Sequence, residues 1–344
     1  MKKVCFKIFA AIIILITAGC SSISYETIYP ALIDGKYDSE FPYKSTSEEL
    51  KKISETIQRI NTTAFYKIYI FPAQENITIE DLKNIEPSQK AERELIADNS
   101  ASGTGIVVYS ENGNVALITC AHTLFFQDTI YAFRLNDDGT YSKYLESVLI
   151  KDKQVVYVAG FPEGSQLDIL AVNSEYDLAL IGKSYGSQQR VFYPVFKYPR
   201  GNAKEVEWGT FVYLLGYPIN YKMITKAIVS CSKKEGDGSF LVDAVINPGF
   251  SGGPVLAIRD GVPNFELIGI VQWVPEEEES LVYPQLLKNH SSYNPVVPYK
   301  GDLFVKKHKS IRYGIAKVIP VENILKFIYS NKAELNKKGF HIFE

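Results

Sequence analysis

From about residue 103 to residue 273 the chain is a succession of short runs rich in β-branched and aromatic residues, each closed by a turn signal. Ile106-Val107-Val108-Tyr109, Val115-Ala116-Leu117-Ile118-Thr119, Leu178-Ala179-Leu180-Ile181 and Phe211-Val212-Tyr213-Leu214-Leu215 are four of them, and Asn112-Gly113-Asn114 is one of the turns. Pleated, half-buried surfaces favour such side chains, and many short strands at close spacing argue for a sandwich or barrel. No βαβ alternation interrupts them, so the expected class is all-β. The 344 residues, 46% hydrophobic and 22% charged, suit one large β domain or two small ones. A net charge of -2 gives no reason to invoke nucleic acid as a partner.

Flanking segments read differently. Leu50, Ile53, Ile57 and Ile60 fall on one helical face, with Glu48 and Glu49 in the first turn, which predicts an N-terminal helix over residues 45–61. Residues 65–71 predict a strand, and residues 72–100 a charged surface excursion with a short helix near 80–85. Residues 275–310, with four glutamates at 276–279 and scattered prolines, read as a long loop. Residues 314–320 predict a last strand and residues 321–329 an amphipathic closing helix, leaving 331–344 as a tail.

One segment carries chemistry. Asn247-Pro248-Gly249-Phe250-Ser251-Gly252-Gly253-Pro254 sets a serine among three glycines. A serine becomes a nucleophile only with a base beside it and N–H donors aimed at the oxyanion that forms, and glycines let backbone approach a substrate closely. Upstream stand Thr119-Cys120-Ala121-His122 and Tyr176-Asp177-Leu178-Ala179-Leu180, giving the chain order His, Asp, Ser. The other histidines, 290, 308 and 341, lie in the loop or the tail. Asp168, ahead of another apolar run, is the second candidate for the acid. Gly249-Phe250-Ser251-Gly252-Gly253 also satisfies the G-x-S-x-G pattern of α/β-hydrolases, but that reading needs a strand-turn-helix context and the order Ser, acid, His. Here residues 254–258 continue as a strand.

These segments, with Ser102-Gly103-Thr104-Gly105-Ile106-Val107, Leu214-Leu215-Gly216-Tyr217-Pro218 and Gly269-Ile270-Val271-Gln272-Trp273, resemble the chymotrypsin/trypsin-like serine peptidases. The resemblance extends to the bacterial branch that includes the HtrA (Deg) proteases, here without room for a PDZ domain. It implies two six-stranded antiparallel β-barrels over residues 46–330, with His122 and Asp177 in the first and Ser251 in the second. It implies a serine endopeptidase acting on protein or peptide substrates without a cofactor, with the N–H groups of Gly249 and Ser251 as oxyanion donors. It places the specificity pocket between Val245, Ile246 and the segment Gln272, Trp273, Val274. That lining offers no carboxylate for Arg or Lys, so small or medium apolar residues are the expected choice before the scissile bond. Phe250 departs from the family, which has Asn or Asp there, and it excludes activation through a salt bridge to a freed N-terminus. It also opens a second reading, a catalytically silent peptidase-fold binding or scaffold protein whose oxyanion loop Phe250 holds collapsed.

Lys2 and Lys3 followed by an apolar run over residues 8–18 form a signal-peptide pattern, too short to span a bilayer comfortably. It ends in Thr17-Ala18-Gly19-Cys20-Ser21, which resembles a lipoprotein processing site. The expectation is a signal peptide over 1–19, a lipidated Cys20, a tether over 20–45 and an extracytoplasmic location at the bacterial envelope, on the outer membrane in a diderm cell. Cys120 and Cys231 are left in the folded part, where one disulfide is permitted but not required. No CxxC pair or ligand-spaced His cluster predicts a metal site.

Overall fold

The computed structural model describes residues 33–136, 140–162, 166–186, 192–232, 236–273, 276–284, 296, 303–311 and 314–342. The signal peptide and Cys20 lie outside the described residues.

The first half of the chain forms a curled sheet from β1 (Ile57–Ile70), β2 (Arg93–Glu111), β3 (Asn114–Cys120), β4 (Thr129–Leu135), β5 (Tyr141–Val158), β6 (Asp168–Asn173) and β7 (Leu178–Ser184). Their order is β4-β5-β1-β2-β3-β7-β6, with antiparallel neighbours. The second half closes into a barrel of β8 (Phe211–Gly216), β9 (Met223–Cys231), β10 (Phe240–Val242), β11 (Pro254–Ile258), β12 (Phe265–Trp273) and β15 (Ala316–Pro320). Between β12 and β15 runs an antiparallel ribbon of β13 (Glu276–Pro284) and β14 (Leu303–Ile311). The all-β, trypsin-like architecture agrees with the sequence. The first unit differs from the expected six-stranded barrel: among the described residues it is seven strands of an unclosed sheet.

The strands read as near-continuous apolar runs because both of their faces are covered. Along β3, successive side chains point to opposite sides. Val115 and Leu117 enter the core of the first sheet, while Ala116, Ile118 and Cys120 join a larger core that continues into the second barrel. The two units therefore share packed surface along β2, β3 and β7.

Helix α1 (Ser47–Glu55) is shorter than expected, and the difference is physical. Ile57 and Ile60 fit a helical stripe, but in the strand they point to opposite faces, Ile57 into the larger core and Ile60 into that of the first sheet; residues 57–70 pair with β2 on one side and 60–70 with β5 on the other. Two rows of interstrand hydrogen bonds outweigh a weak helical preference in Ile- and Thr-rich sequence. For the same reason the charged residues 93–100, expected in a surface excursion, continue β2 opposite β1. The excursion itself contains 3₁₀ turns at Ala73–Glu75 and Asp81–Lys83 and one helical turn at Pro87–Lys90. The 275–310 loop is corrected in the same way, since its two ends pair in register from Glu276↔Ile311 to Pro284↔Leu303.

Both termini of the described chain dock. In the expected tether, Tyr37 is buried, its hydroxyl donates to Glu266 Oε2 at 2.7 Å, and the Arg259 guanidinium lies 4.1 Å from its ring centroid. Asp38 N donates to Ile258 O at 2.9 Å and Asp38 O accepts from Phe211 N at 2.9 Å, so residues 37–38 lie against the second barrel. At the other end, helix α2 (Val321–Lys337) outruns the predicted 321–329 because Leu335 continues its apolar stripe after Ile324, Phe327 and Ile328. The expected tail then buries Phe340 and Ile342, and Phe340 meets Tyr109 of β2 edge-on at 6.2 Å between centroids. Asn114 Nδ2 caps Gly339 O at 2.9 Å. Phe340→Ala should therefore destabilise the protein by about 3–5 kcal/mol, as loss of a buried ring does. An unchanged urea midpoint would show that the tail does not pack.

Burial, reinforced by Glu40, Asp260 and Asp34, pushes the Asp38 carboxyl up to about 6. The folded state thus holds this proton longer than the unfolded chain does, so stability falls as pH rises through roughly 4 to 6 and the cost persists above that window. Asp38→Asn should raise the thermal midpoint at pH 8 by roughly 2–4 °C and give no gain at pH 4. Equal midpoints at pH 8 would show that the carboxylate carries no such cost.

Candidate active site

The pairing of β3 with β7 builds half of the site. Cys120 pairs with Leu178, so the residue two places beyond β3 and the residue just before β7 are brought to the same sheet end. His122 lies in the 3₁₀ turn Ala121–Thr123, and Asp177 takes the left-handed conformation at φ 55°. Asp tolerates that region better than most side chains. The turn lets Asp177 O accept from Ala121 N at 3.0 Å while its carboxylate reaches back to His122. Asp177 Oδ1 accepts from His122 N at 2.8 Å, and Oδ2 accepts from His122 Nδ1 at 2.7 Å. The carboxylate fixes the ring by both its backbone and its side chain, and a proton held on Nδ1 leaves Nε2 as the basic nitrogen. Asp177's side chain is 15% exposed and His122's is 42% exposed. Asp168, the second candidate, pairs with Gly182 at the far end of β6 and is not the partner of His122.

The other half comes from the second barrel. Ser251 lies in the turn between β10 and β11 that enters the seam from the opposite side. Thr104 N of β2 donates to Ser251 O at 2.8 Å, and Gly252 N donates to Val271 O of β12 at 2.8 Å. A Cβ on Gly252 would stand 2.1 Å from Thr104 O and 2.5 Å from Thr119 Oγ1, so this approach of the two units admits only glycine. Just before the serine, Phe250 N donates to Asn247 O at 3.3 Å around Pro248 and Gly249. Gly249 has φ 111°. Proline followed by a residue of positive φ across such a hydrogen bond is the signature of a type II turn. Among the described residues, the N–H groups of Gly249 and Ser251 donate to no protein acceptor, whereas those of Phe250, Gly252 and Gly253 all do. Two unpaired donors flanking Phe250, one of them the serine's own N–H, are suited to receive an oxyanion.

Phe250 does not collapse the loop. It is 2% exposed, in one core with Ile246 and Val255, and a Cβ on Gly216 would lie 2.6 Å from its ring. The residue that departs from the family therefore anchors the loop from beneath.

Of the residues assigned to the specificity pocket, Val245 is 71% exposed and Ile246 is fully buried, so of this pair only Val245 presents surface. Gln272 is half-buried, with its Oε1 buried and unpartnered among the described residues. Trp273 ends β12, while its side chain and Val274 lie outside the described residues. A cleft of about 520 Å³ opens on the other side of His122, lined by Leu124, Phe125 and Phe126 after the histidine and by Ile169 and Val172 of β6. These wall residues were not singled out in the sequence, although an apolar run directly after the histidine, with Phe125 left exposed, is the signal that marks them. A second cavity of about 460 Å³ is bordered by β2, residues 195–200 and α2, with no residue of the His-Asp-Ser set in its walls.

Cys120 and Cys231 are not joined in a disulfide. Cys120 Sγ, His122 and Asp177 present ligand-type atoms within 4.8 Å of one another. The thiol, however, donates to Val271 O at 3.2 Å, and burial next to Asp177 raises its pKa well above the ordinary value. A protonated, inward-bonded thiol makes a poor metal ligand.

Residues 103–270 match the family described as Trypsin-like peptidase domain. The chain carries a trypsin-like peptidase domain. Both the His122–Asp177 pair and the Ser251 loop fall inside the matched span. No curated protein matches the chain. Among solved structures it is similar to the HtrA-type protease AlgW, a variant determined with a tripeptide, at TM-score 0.43 and 15% identity, over 84% of this chain and 64% of that one. It is similar also to a serine endoprotease from Yersinia pestis (TM-score 0.40, 15% identity, 85% and 67% covered) and to Deg5 (0.36, 16%, 67% and 88%). The chain thus spans less than two thirds of the AlgW structure. Likenesses this distant speak to no residue's role.

Proposed function

We propose that this trypsin-like domain hydrolyses peptide bonds of exported proteins through the triad His122, Asp177 and Ser251. The observation that carries the reading is the Asp177 carboxylate bound to both the backbone N–H and Nδ1 of His122. Ser251 Oγ attacks the scissile carbonyl while His122 Nε2 takes its proton, and Asp177 stabilises the imidazolium. The carbonyl oxygen becomes an oxyanion held by Gly249 and Ser251 N–H. The imidazolium then returns the proton to the departing amine, leaving an acyl-enzyme on Ser251. Water, deprotonated by His122, releases the acid by the same steps reversed. Among the described residues Asp177 is the side-chain partner of the His122 ring and Ser251 is not, and such catalytic contacts commonly tighten when substrate expels water.

Ser251→Ala should abolish hydrolysis and fluorophosphonate labelling with the thermal midpoint unchanged; labelling that persists would remove Ser251 from the mechanism. Asp177→Asn should lower kcat by about 10⁴-fold, the size of effect this change has in such triads. On the substrate side, exposed Val245 and the lack of a carboxylate in the assigned lining favour small or medium apolar residues before the scissile bond. A peptide-library profile dominated by Arg or Lys would overturn that preference.

The same proposal places the protein at the bacterial envelope, lipidated on Cys20 and facing away from the cytoplasm, on the outer membrane of a diderm cell. The support is the basic start, the apolar run and Thr17-Ala18-Gly19-Cys20. Metabolic palmitate labelling should be lost in Cys20→Ser; equal incorporation in both proteins would refute the anchor.

A further inference from the structure

We infer that Thr104 and Phe250 are the positioning residues of the oxyanion loop: together they hold the Gly249 and Ser251 donors toward the cleft by a buried hydroxyl and a buried ring, with no ionic partner. The inference rests on the peptidase reading above and concerns how its donors are held in place.

The loop belongs to the second barrel, but its main polar hold comes from the first sheet. Thr104 of β2 is fully buried. Its Oγ1 donates to Gly249 O at 2.7 Å and accepts from Tyr217 N at 3.0 Å. Its N–H donates to Ser251 O at 2.8 Å, and its carbonyl accepts from Thr119 Oγ1 at 2.8 Å. One side chain thus fixes the carbonyls of both donor residues, directly for Gly249 and through its backbone for Ser251. With both carbonyls held at Thr104 the turn is fixed in its path, and the Ser251 N–H, trans across its peptide plane to the Phe250 C=O that Gly253 N binds, is left without a protein acceptor among the described residues, as is that of Gly249.

Phe250, between the two donors, completes the hold. Its N–H and C=O close turns to Asn247 O and from Gly253 N, at 3.3 and 2.8 Å. Its ring fills the space above Gly216, where any larger residue would meet it at 2.6 Å. Position 249 itself admits only glycine, because a Cβ there would lie 2.3 Å from Tyr217 O. A hydrogen bond in a dry seam and an apolar ring in a fitted pocket are both strong in a low-dielectric interior.

Kinetics separate positioning from mere stability. Thr104→Val keeps the shape of the side chain and removes the hydroxyl. It should lower kcat by roughly 10- to 100-fold, short of the loss seen on deleting a donor outright. KM should stay within about twofold of wild type, since substrate binding in the ground state does not use the donors fully. The pH midpoint of the kcat profile should not move, because the His122–Asp177 pair is untouched. Thr104→Ser should restore most of the rate. Phe250→Leu, which keeps an apolar filler, gives the same readout if Thr104→Val does not fold, and should also lose kcat rather than raise KM. Wild-type kcat in either folded variant, or a loss carried by KM or by a shifted pH midpoint, would overturn the inference and leave the peptidase reading standing. A folded wild-type protein that neither hydrolyses peptides nor labels at Ser251 would overturn the peptidase reading itself, and this inference with it.

Discussion

Everything in the site depends on the contact between Thr104 and the serine turn. In the proposed triad the acid and base are fixed within one sheet by the β3–β7 register, but the nucleophile arrives from another unit on a separate turn. Nothing covalent near the site sets the distance between them. What sets it is Thr104 N on Ser251 O, Gly252 N on Val271 O, and the absence of side chains at Gly252 that allows the backbones to meet. A methyl group there would overlap Thr104 O and push the serine away from the histidine. Sub-ångström placement matters because acyl transfer requires reacting atoms in near-attack geometry. The apolar core that runs through the seam makes this placement rigid, since close-packed interiors resist small displacements.

The site was more legible in sequence than the elements around it. His122, Asp177 and Ser251 stand next to apolar strands and small residues, and each sits in a turn whose sequence allows few alternatives. Their chemistry also demands particular residue types, which limits the reading further. Ile57 and Ile60 were misleading because their three-residue spacing completes a helix stripe, whereas a strand buried on both faces uses them in two different cores; only pairing with β2 and β5 decides between them. The charged residues 93–100 carried no strand signal, because their pairing is a backbone matter that side chains do not report. The same holds for the ribbon of β13 and β14, where four consecutive glutamates read as loop yet lie in ladder register. Phe340 and Ile342 looked like a tail since a two-residue anchor after a glycine has no period to detect. Thr104 was visible as a letter inside a glycine-rich strand, but its role needed the second barrel to be in place.

Phe250 shows why a local departure from a family pattern is read differently in three dimensions. As a sequence feature, an aromatic ring between two oxyanion donors suggests obstruction, because a ring facing the cleft would fill it. In the structure the ring faces the barrel, and the question becomes which kind of anchor holds the loop. An ionised side chain at this depth would need a partner and full hydrogen bonding to offset its desolvation. A phenyl ring needs only a cavity of its shape, which Gly216 supplies by having no side chain. The two solutions also differ in how they can be controlled. An ion pair can be made or broken by creating or removing one charge, so it lends itself to switching, whereas a packed ring is present as soon as the barrel has folded. A loop anchored by Phe250 and Thr104 has its donors arranged by folding itself, so in the proposed peptidase this loop offers no ionic switch, and access to the cleft is the step left open to control.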